Sequence, residues 1–305
     1  MITSLPVYSI DLALGEDEKA LGIKVTHEIE EPVGKPLPWG PASVRFVGDS
    51  IWAADTLKGR LVEFDLNGNF KNAISLKLPA EAAVGDFCFG IYDTKKKEKA
   101  VYVCDADNPT ILAFDMNGEL LGQIGSGTKD VFFMPKRIEG YANEIFVLEA
   151  GKKEIYIFNQ DLKQIDKFKT VTDNFTVEND NLYHFTSLGR NNALEIQDLK
   201  NYEKHIIKPG FPSDNDIDLL FCDKNTYVGF VEFREGSGEN PQYQIVEVDK
   251  DGNMTRINTD YPVSFMVRSF IKDSKGKKYQ IKFDEAHPDK LIIDELPESF
   301  GASEG

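Results

Sequence analysis

Shifted by 50 residues, the chain overlays on itself. Ile51–Phe70 reads IWAADTLKGRLVEFDLNGNF and Val101–Leu120 reads VYVCDADNPTILAFDMNGEL, and the two align element for element without a gap. Fainter copies begin at Ile145 (IFVLEAGKKEIYIFNQDLKQ) and Leu182 (LYHFTSLGRNNALEIQDLKN), then near Tyr227, and finally at Lys278. The copy near Tyr227 carries a longer loop through Gly236 and Gly238 and resumes as QIVEVDKDGNM at Gln244. A fixed period of about 40 to 50 residues is the mark of propeller blades. Each copy is a strand of alternating β-branched and aromatic residues, a polar turn and a second such strand, which is an antiparallel hairpin. Asn67-Gly68, Asn117-Gly118 and Asp251-Gly252 supply the positive φ angles for a tight turn into a third strand. The copies from Ile145 and Leu182 lack that glycine.

Ahead of each copy lies a further apolar run: Ala42–Val47, Phe87–Tyr92, Arg137–Tyr141, Phe175–Val177, Leu219–Cys222 and Ser264–Ile271. These are expected to be the innermost strands. The expected fold is therefore an all-β, six-bladed β-propeller of four-stranded antiparallel blades, in which radial closure hides the sheet edges. The last repeat ends near Leu296 with only three strands, and Val7–Leu14 (VYSIDLAL) is unassigned. The two are expected to pair, so that the N-terminal strand completes the last blade and closes the ring without a disulfide. Residues 1–297 then form a single domain, and 298–305 a flexible acidic tail.

At Trp39–Phe70 (WGPASVRFVGDSIWAADTLKGRLVEFDLNGNF) and at Val101–Leu120 the chain resembles the NHL repeat, and the remaining copies follow the pattern loosely as far as Thr259. That resemblance implies architecture, not chemistry. Propellers of related build include protein-binding modules, exported bacterial proteins, calcium-dependent lactonases of the regucalcin and paraoxonase type, and streptogramin lyases. In the regucalcin type, carboxylates and amides from several blades hold calcium at the channel mouth, and Asp86, Asn174 and Asp218 could imitate that set. No counterpart of the family's first glutamate lies near Gly40–Val44, and Lys136 would bring a positive charge into the ring.

Charge narrows the partners. The net charge of −16 opposes nucleic acid and anionic membrane surfaces, and no stretch approaches the ~18 unbroken apolar residues of a membrane helix. The start lacks a secretory signal, so the sequence as given reads as cytoplasmic, with export after removal of a signal as the alternative. Three cysteines with no CxxC pair read as reduced thiols. Cys88 and Cys104 become cross-strand neighbours if Tyr92 faces Ala100, which leaves open whether they are bridged.

Polar residues at the starts of the innermost strands are the candidate ligand-binding set: Trp39, Asp86, Lys136, Asn174, Asp216 and Asp218, with Ser264 beside them. The acids at strand-to-loop junctions, Asp55, Asp105, Asp107, Glu149, Glu232 and Asp284, recur at one position, where a strand gives way to its loop, and read as organisers of their own turns. His184 stands where other copies have Val103 or Val147 and is the alternative catalytic group; its plainer reading is a buried, hydrogen-bonded histidine. His27, His205 and His287 have no nucleophile pattern nearby, and Lys95–Lys97 reads as a solvated hairpin tip. With no GxSxG, HExxH or Walker sequence, the leading expectation is a non-enzymatic, monomeric propeller without cofactor. It would present one loop face and the channel mouth to a protein, peptide or small ligand. The alternative is a calcium-dependent hydrolase or lyase on Asp86, Asn174 and Asp218.

Overall fold

A computed structural model describes residues 8–25, 38–92, 98–125, 132, 134–212, 217–222, 226–233, 242–257, 266–284 and 287–296. Among these the protein is all-β, its one helical segment being a single 3-10 turn at Thr56–Lys58. Four-stranded antiparallel sheets are arranged as a β-propeller. The first sheet comprises Ser43–Val47, Ser50–Asp55, Arg60–Phe64 and Phe70–Ser75, and the second Val84–Tyr92, Glu98–Asp105, Ile111–Asp115 and Leu120–Ile124. The third comprises Pro135–Tyr141, Glu144–Glu149, Glu154–Asn159 and Gln164–Lys169, and the fourth Thr176–Glu178, Asn181–Leu188, Asn191–Asp198 and Lys204–Pro212. The fifth comprises Ile217–Cys222, Thr226–Phe233, Gln242–Asp249 and Met254–Ile257. The sixth joins Phe270–Lys272, Lys278–Asp284 and His287–Glu295 to the N-terminal strand Ser9–Ala13.

The chain divides into two compact units. One holds the sixth, first and second sheets, and the other the third, fourth and fifth. Within each unit the leading strands of successive sheets lie against one another, as the apolar runs ahead of each repeat predict.

Burial explains why the second strands read as unbroken apolar runs. In Ser50–Asp55, Ile51 and Ala53 join a core with Ile10, Leu12, Ile281, Leu291 and Ile293 of the sixth sheet. Trp52 and Ala54 face the other way, into a core with Phe87, Val101, Val103 and Phe114 of the second. Both faces of the strand are thus covered, and period-2 alternation of polarity is lost. The N-terminal strand closes its sheet as expected: Ile10 lies opposite Ile293 and Leu12 opposite Leu291. Ile10 and Leu12 are almost wholly buried, contributing about 1.5–3 kcal/mol each.

The outer turns follow one design. Asp65 Oδ1 accepts the amides of Asn67 and Asn69, and Asp115 Oδ1 those of Asn117 and Glu119; Asp249 and Asp273 repeat the pattern. Gly118 sits there at φ 81°, and a Cβ on it would lie 1.9 Å from the Ser75 carbonyl oxygen on the outer strand of the preceding sheet. Glycine is therefore required twice over, by the backbone angle and by the neighbouring sheet. Where the glycine is missing, Leu162 at φ 58° and Tyr202 at φ 61° accept the positive angle instead.

Two expectations need correction. Cys88 faces Tyr102, not Cys104, because Tyr92 pairs with Glu98 and the register lies two residues from that assumed. The three cysteines are buried and not joined in a disulfide, and burial pushes the Cys104 thiol well up. Trp39 does not open an inner strand; with Pro38 it pairs in a two-stranded ribbon against Lys24 and Val25.

Candidate functional site

In the unit of the sixth, first and second sheets, Asp86 ties three leading segments together. Between Val84 and Phe87 the second sheet's register shifts, leaving Gly85 and Asp86 in a bulge. A Cβ on Gly85 would stand 2.7 Å from the Cys104 carbonyl oxygen, so this backbone crossing needs glycine. Asp86, wholly buried, accepts Arg268 in a bidentate pair, Nε to Oδ1 at 2.9 Å and Nη2 to Oδ2 at 2.7 Å. Arg45 Nη2 reaches Oδ2 at 3.1 Å, and Ser43 Oγ donates to Oδ1 at 2.6 Å. The Arg45 guanidinium also lies 5.6 Å from the Phe87 ring centre. Planar guanidinium forks suit such a buried carboxylate better than lysine would. A divalent cation at Asp86 would have to displace these donors and sit against two positive charges.

In the other unit the leading strands are tied differently. Asp173 receives Lys136 Nζ at 3.3 Å from the third sheet's leading strand, and Lys153 from the loop between that sheet's second and third strands. These side chains are 37–45 % exposed. Burial pushes the Asp173 carboxyl up, but hydrogen bonding and the charges of the two lysines outweigh it, and its pKa lies below the usual value. The neighbouring Asn174 turns the other way and donates Nδ2 to the Leu219 carbonyl on the fifth sheet's leading strand, at 2.5 Å. Asn174 Oδ1 is buried with no hydrogen-bond partner. Two buried threonines hold this turn: Thr170 Oγ1 donates to the Phe185 carbonyl at 2.9 Å, and Thr172 Oγ1 to the Asn174 carbonyl at 2.5 Å.

His184 lies in neither place. It is fully buried on the face that also carries Leu182, against the third sheet, with Phe168 6.5 Å away. Nδ1 is 3.3 Å from the Phe185 carbonyl, and Nε2 is 3.6 Å from Glu195 Oε1. The imidazole and then the 2.6 Å bond from Lys204 hold the Glu195 carboxyl down to about 2 against its desolvation. This histidine lies sealed in a seam against the third sheet.

The junction acids organise backbone. Asp105 Oδ1 accepts the amides of Ala83, Asp107 and Asn108, and Glu149 accepts those of Met134 and Lys152. Asp55 differs in part: Gly22 donates to it at 3.0 Å, and Arg60 Nε at 2.9 Å, so the first sheet's acid holds the N-terminal segment. The backbones of Asp218, Glu232 and Asp284 lie in strands, but their side chains, with that of Trp39, fall outside the described residues, as do Asp216, Ser264, His27, Lys95–Lys97 and the acidic tail. The sequence reading missed Arg45, Arg268, Asp173, Lys153 and Glu195. The arginines had a signal, since each interrupts an apolar run, SVRFV and SFMVRSFI.

The sequence matches no protein-family model and no curated protein. Solved structures do resemble the fold. A member of the DUF4221 family from Bacteroides vulgatus aligns with a TM-score of 0.56 at 13 % identity, over 96 % of this chain and 97 % of its own. A putative exported protein from Bacteroides fragilis aligns at 0.54 and 10 % identity, over 97 % and 98 %. Likeness at such low identity is a likeness of fold.

Proposed function

We propose that the six sheets form one ring of six NHL-like blades in a single domain, and that the protein is a binding propeller rather than an enzyme. It recognises a protein, peptide or small ligand through the leading-strand residues of the third to fifth sheets. The observation that carries this reading is the state of Asp86. The carboxylate on which a metal-dependent reaction would depend is wholly buried and bound at both oxygens by guanidinium groups. His184, the alternative base, is likewise shut inside a seam.

The calcium-dependent reading on Asp86, Asn174 and Asp218 has one observation in its favour. Asn174 Oδ1 is a buried oxygen without a donor, and hard cations take oxygen ligands. Thermal unfolding in millimolar calcium and in chelator separates the two readings. The binding reading expects coincident curves, together with selectable peptide ligands from a displayed library. A calcium-dependent rise in Tm with hydrolysis of simple lactones would replace it with the enzymatic one.

A further inference from the structure

The loop that follows the N-terminal strand, GEDEKA at Gly15–Ala20, exposes its acidic side chains and turns its backbone carbonyls inward, onto two cations of the first sheet. Lys58, in the 3-10 turn between that sheet's second and third strands, donates from Nζ to the Gly15, Asp17 and Ala20 carbonyls at 2.9, 2.7 and 2.8 Å. An ammonium has three donors, and these contacts use all of them. Arg60 donates from Nη1 to the Glu18 carbonyl at 2.6 Å and from Nη2 to the Ala20 carbonyl at 2.8 Å, while its Nε holds Asp55. At the neck of the loop Gly15 N–H donates to the Leu21 carbonyl at 2.8 Å, and Leu21 N–H to the Ala13 carbonyl at 2.9 Å. Leu14 and Leu21 are buried in the core that the sixth and first sheets share. Carbonyls that converge bring their negative ends together, so a loop of this shape needs positive charge at its centre. The place that the Lys58 ammonium occupies has the chemistry of a large monovalent ion. Its ligands are backbone carbonyls, the groups with which potassium filters replace a hydration shell. Its distances exceed the about 2.3–2.6 Å of calcium–oxygen coordination, and none of its three oxygens belongs to a carboxylate.

We propose that Lys58 is a tethered cation: its ammonium fills a potassium-like site in the N-terminal loop and so laces the closing strand of the sixth sheet to the first sheet. Closure of these two sheets then needs no free ion, and cutting Lys58 back opens a site for a cation of potassium or ammonium size. Gly22 belongs to the fit. A Cβ there would lie 2.9 Å from Leu57 Cβ and Asp55 Oδ1 and 3.4 Å from Lys58 Cγ, so a side chain would push the loop off the lysine stem. This inference concerns closure and stands apart from the binding reading above.

Thermal unfolding of full-length Lys58→Ala and Lys58→Met tests it, in potassium, ammonium and tetramethylammonium chloride at equal ionic strength with a chelator present. Each Tm is read against the unaltered chain in the same salt, which removes the general effect of that salt. In tetramethylammonium, too large for the site, both variants should unfold about 5 °C or more below the unaltered chain. Potassium and ammonium should restore at least half of that loss to Lys58→Ala, whose short side chain leaves the carbonyls open. They should restore nothing to Lys58→Met, whose uncharged stem still fills the place. Hydrogen exchange at the Gly15 and Leu21 amides should be about tenfold faster in Lys58→Ala without potassium and slow again with it. Equal Tm values for Lys58→Ala in all three salts, equal recovery of Lys58→Met, or an alanine variant as stable as the unaltered chain overturns the proposal. A Lys58→Ala chain that fails to fold in potassium overturns it as well.

Discussion

The leading strands of the two units are laced by charge in opposite ways. In the unit of the sixth, first and second sheets, Asp86 sits at zero exposure under two guanidinium groups and a hydroxyl. In the unit of the third to fifth sheets, Asp173 lies open between two half-exposed lysines, and a lone amide reaches the next strand. Near the start of an inner strand, the acidic residue is a buried lock in one unit and part of a half-exposed cluster in the other. The difference teaches that a polar residue at that position is no indication of a ligand site by itself. What its partners are, and whether water reaches them, decides its role.

That contrast can be broken from the locked side first. Deleting residues 1–14 removes the strand carrying Ile10 and Leu12 and uncovers Leu291 and Ile293; a loss of several kcal/mol should appear as a large drop in Tm, and an unchanged Tm would mean the strand is not needed for closure. Asp86→Ala should cost about 3–5 kcal/mol in urea unfolding, because two arginines lose their buried counter-ion. Gly118→Ala comes next. Its backbone angle costs about 1–2 kcal/mol, and the Ser75 carbonyl at 1.9 Å adds a clash; Gly189→Ala, at φ 68° with open space around it, should show the strain alone.

The open unit should reveal itself in acid. Glu195 is held down to about 2, first by His184 and then by Lys204. Glu154 also falls to about 2, because bonds from Lys169, Tyr156 and Lys167 overcome the desolvation that would raise it. A depressed folded pKa gives stability that is complete above about 4.5, the ordinary glutamate value, and is lost as pH falls towards about 2. Glu154→Gln and Glu195→Gln should each lower stability at neutral pH by about 1.5–3 kcal/mol and flatten its decline through that window. An unaltered slope in both variants would show that these carboxylates do not drive the acid response. Smallest of all, Lys136→Ala should cost less than about 1 kcal/mol, as exposed pairs do.

The repeated parts of the molecule were legible in the sequence because repetition multiplies weak signals. The Asp-x-Asn-Gly turns, the runs ahead of each hairpin and the pairing of VYSIDLAL with the last repeat all emerge from alignment of the chain with itself. The site was less legible, since its residues are the ones that do not repeat. Asp86 and Asn174 were found by position, yet nothing in their identity tells a carboxylate locked by two guanidinium groups from an amide bonded to a backbone carbonyl of the next strand. That distinction depends on Arg268, 182 residues away from Asp86 in the chain, and on Lys153, which reaches Asp173 from a neighbouring sheet's loop. The cysteine register failed for a local reason: the hairpin is tighter than assumed, with Tyr92 opposite Glu98, so every pair above it moves by two.

Double-mutant cycles in urea unfolding at neutral pH, one for Asp86 with Arg268 and one for Asp173 with Lys136, compare the two kinds of lacing directly. The buried pair should show a coupling energy towards the upper end of the range for contacting residues, about 2–3 kcal/mol, and the exposed pair about 0.2–1 kcal/mol. Equal couplings, or a larger one at Asp173, would contradict the division into a locked unit and an open one.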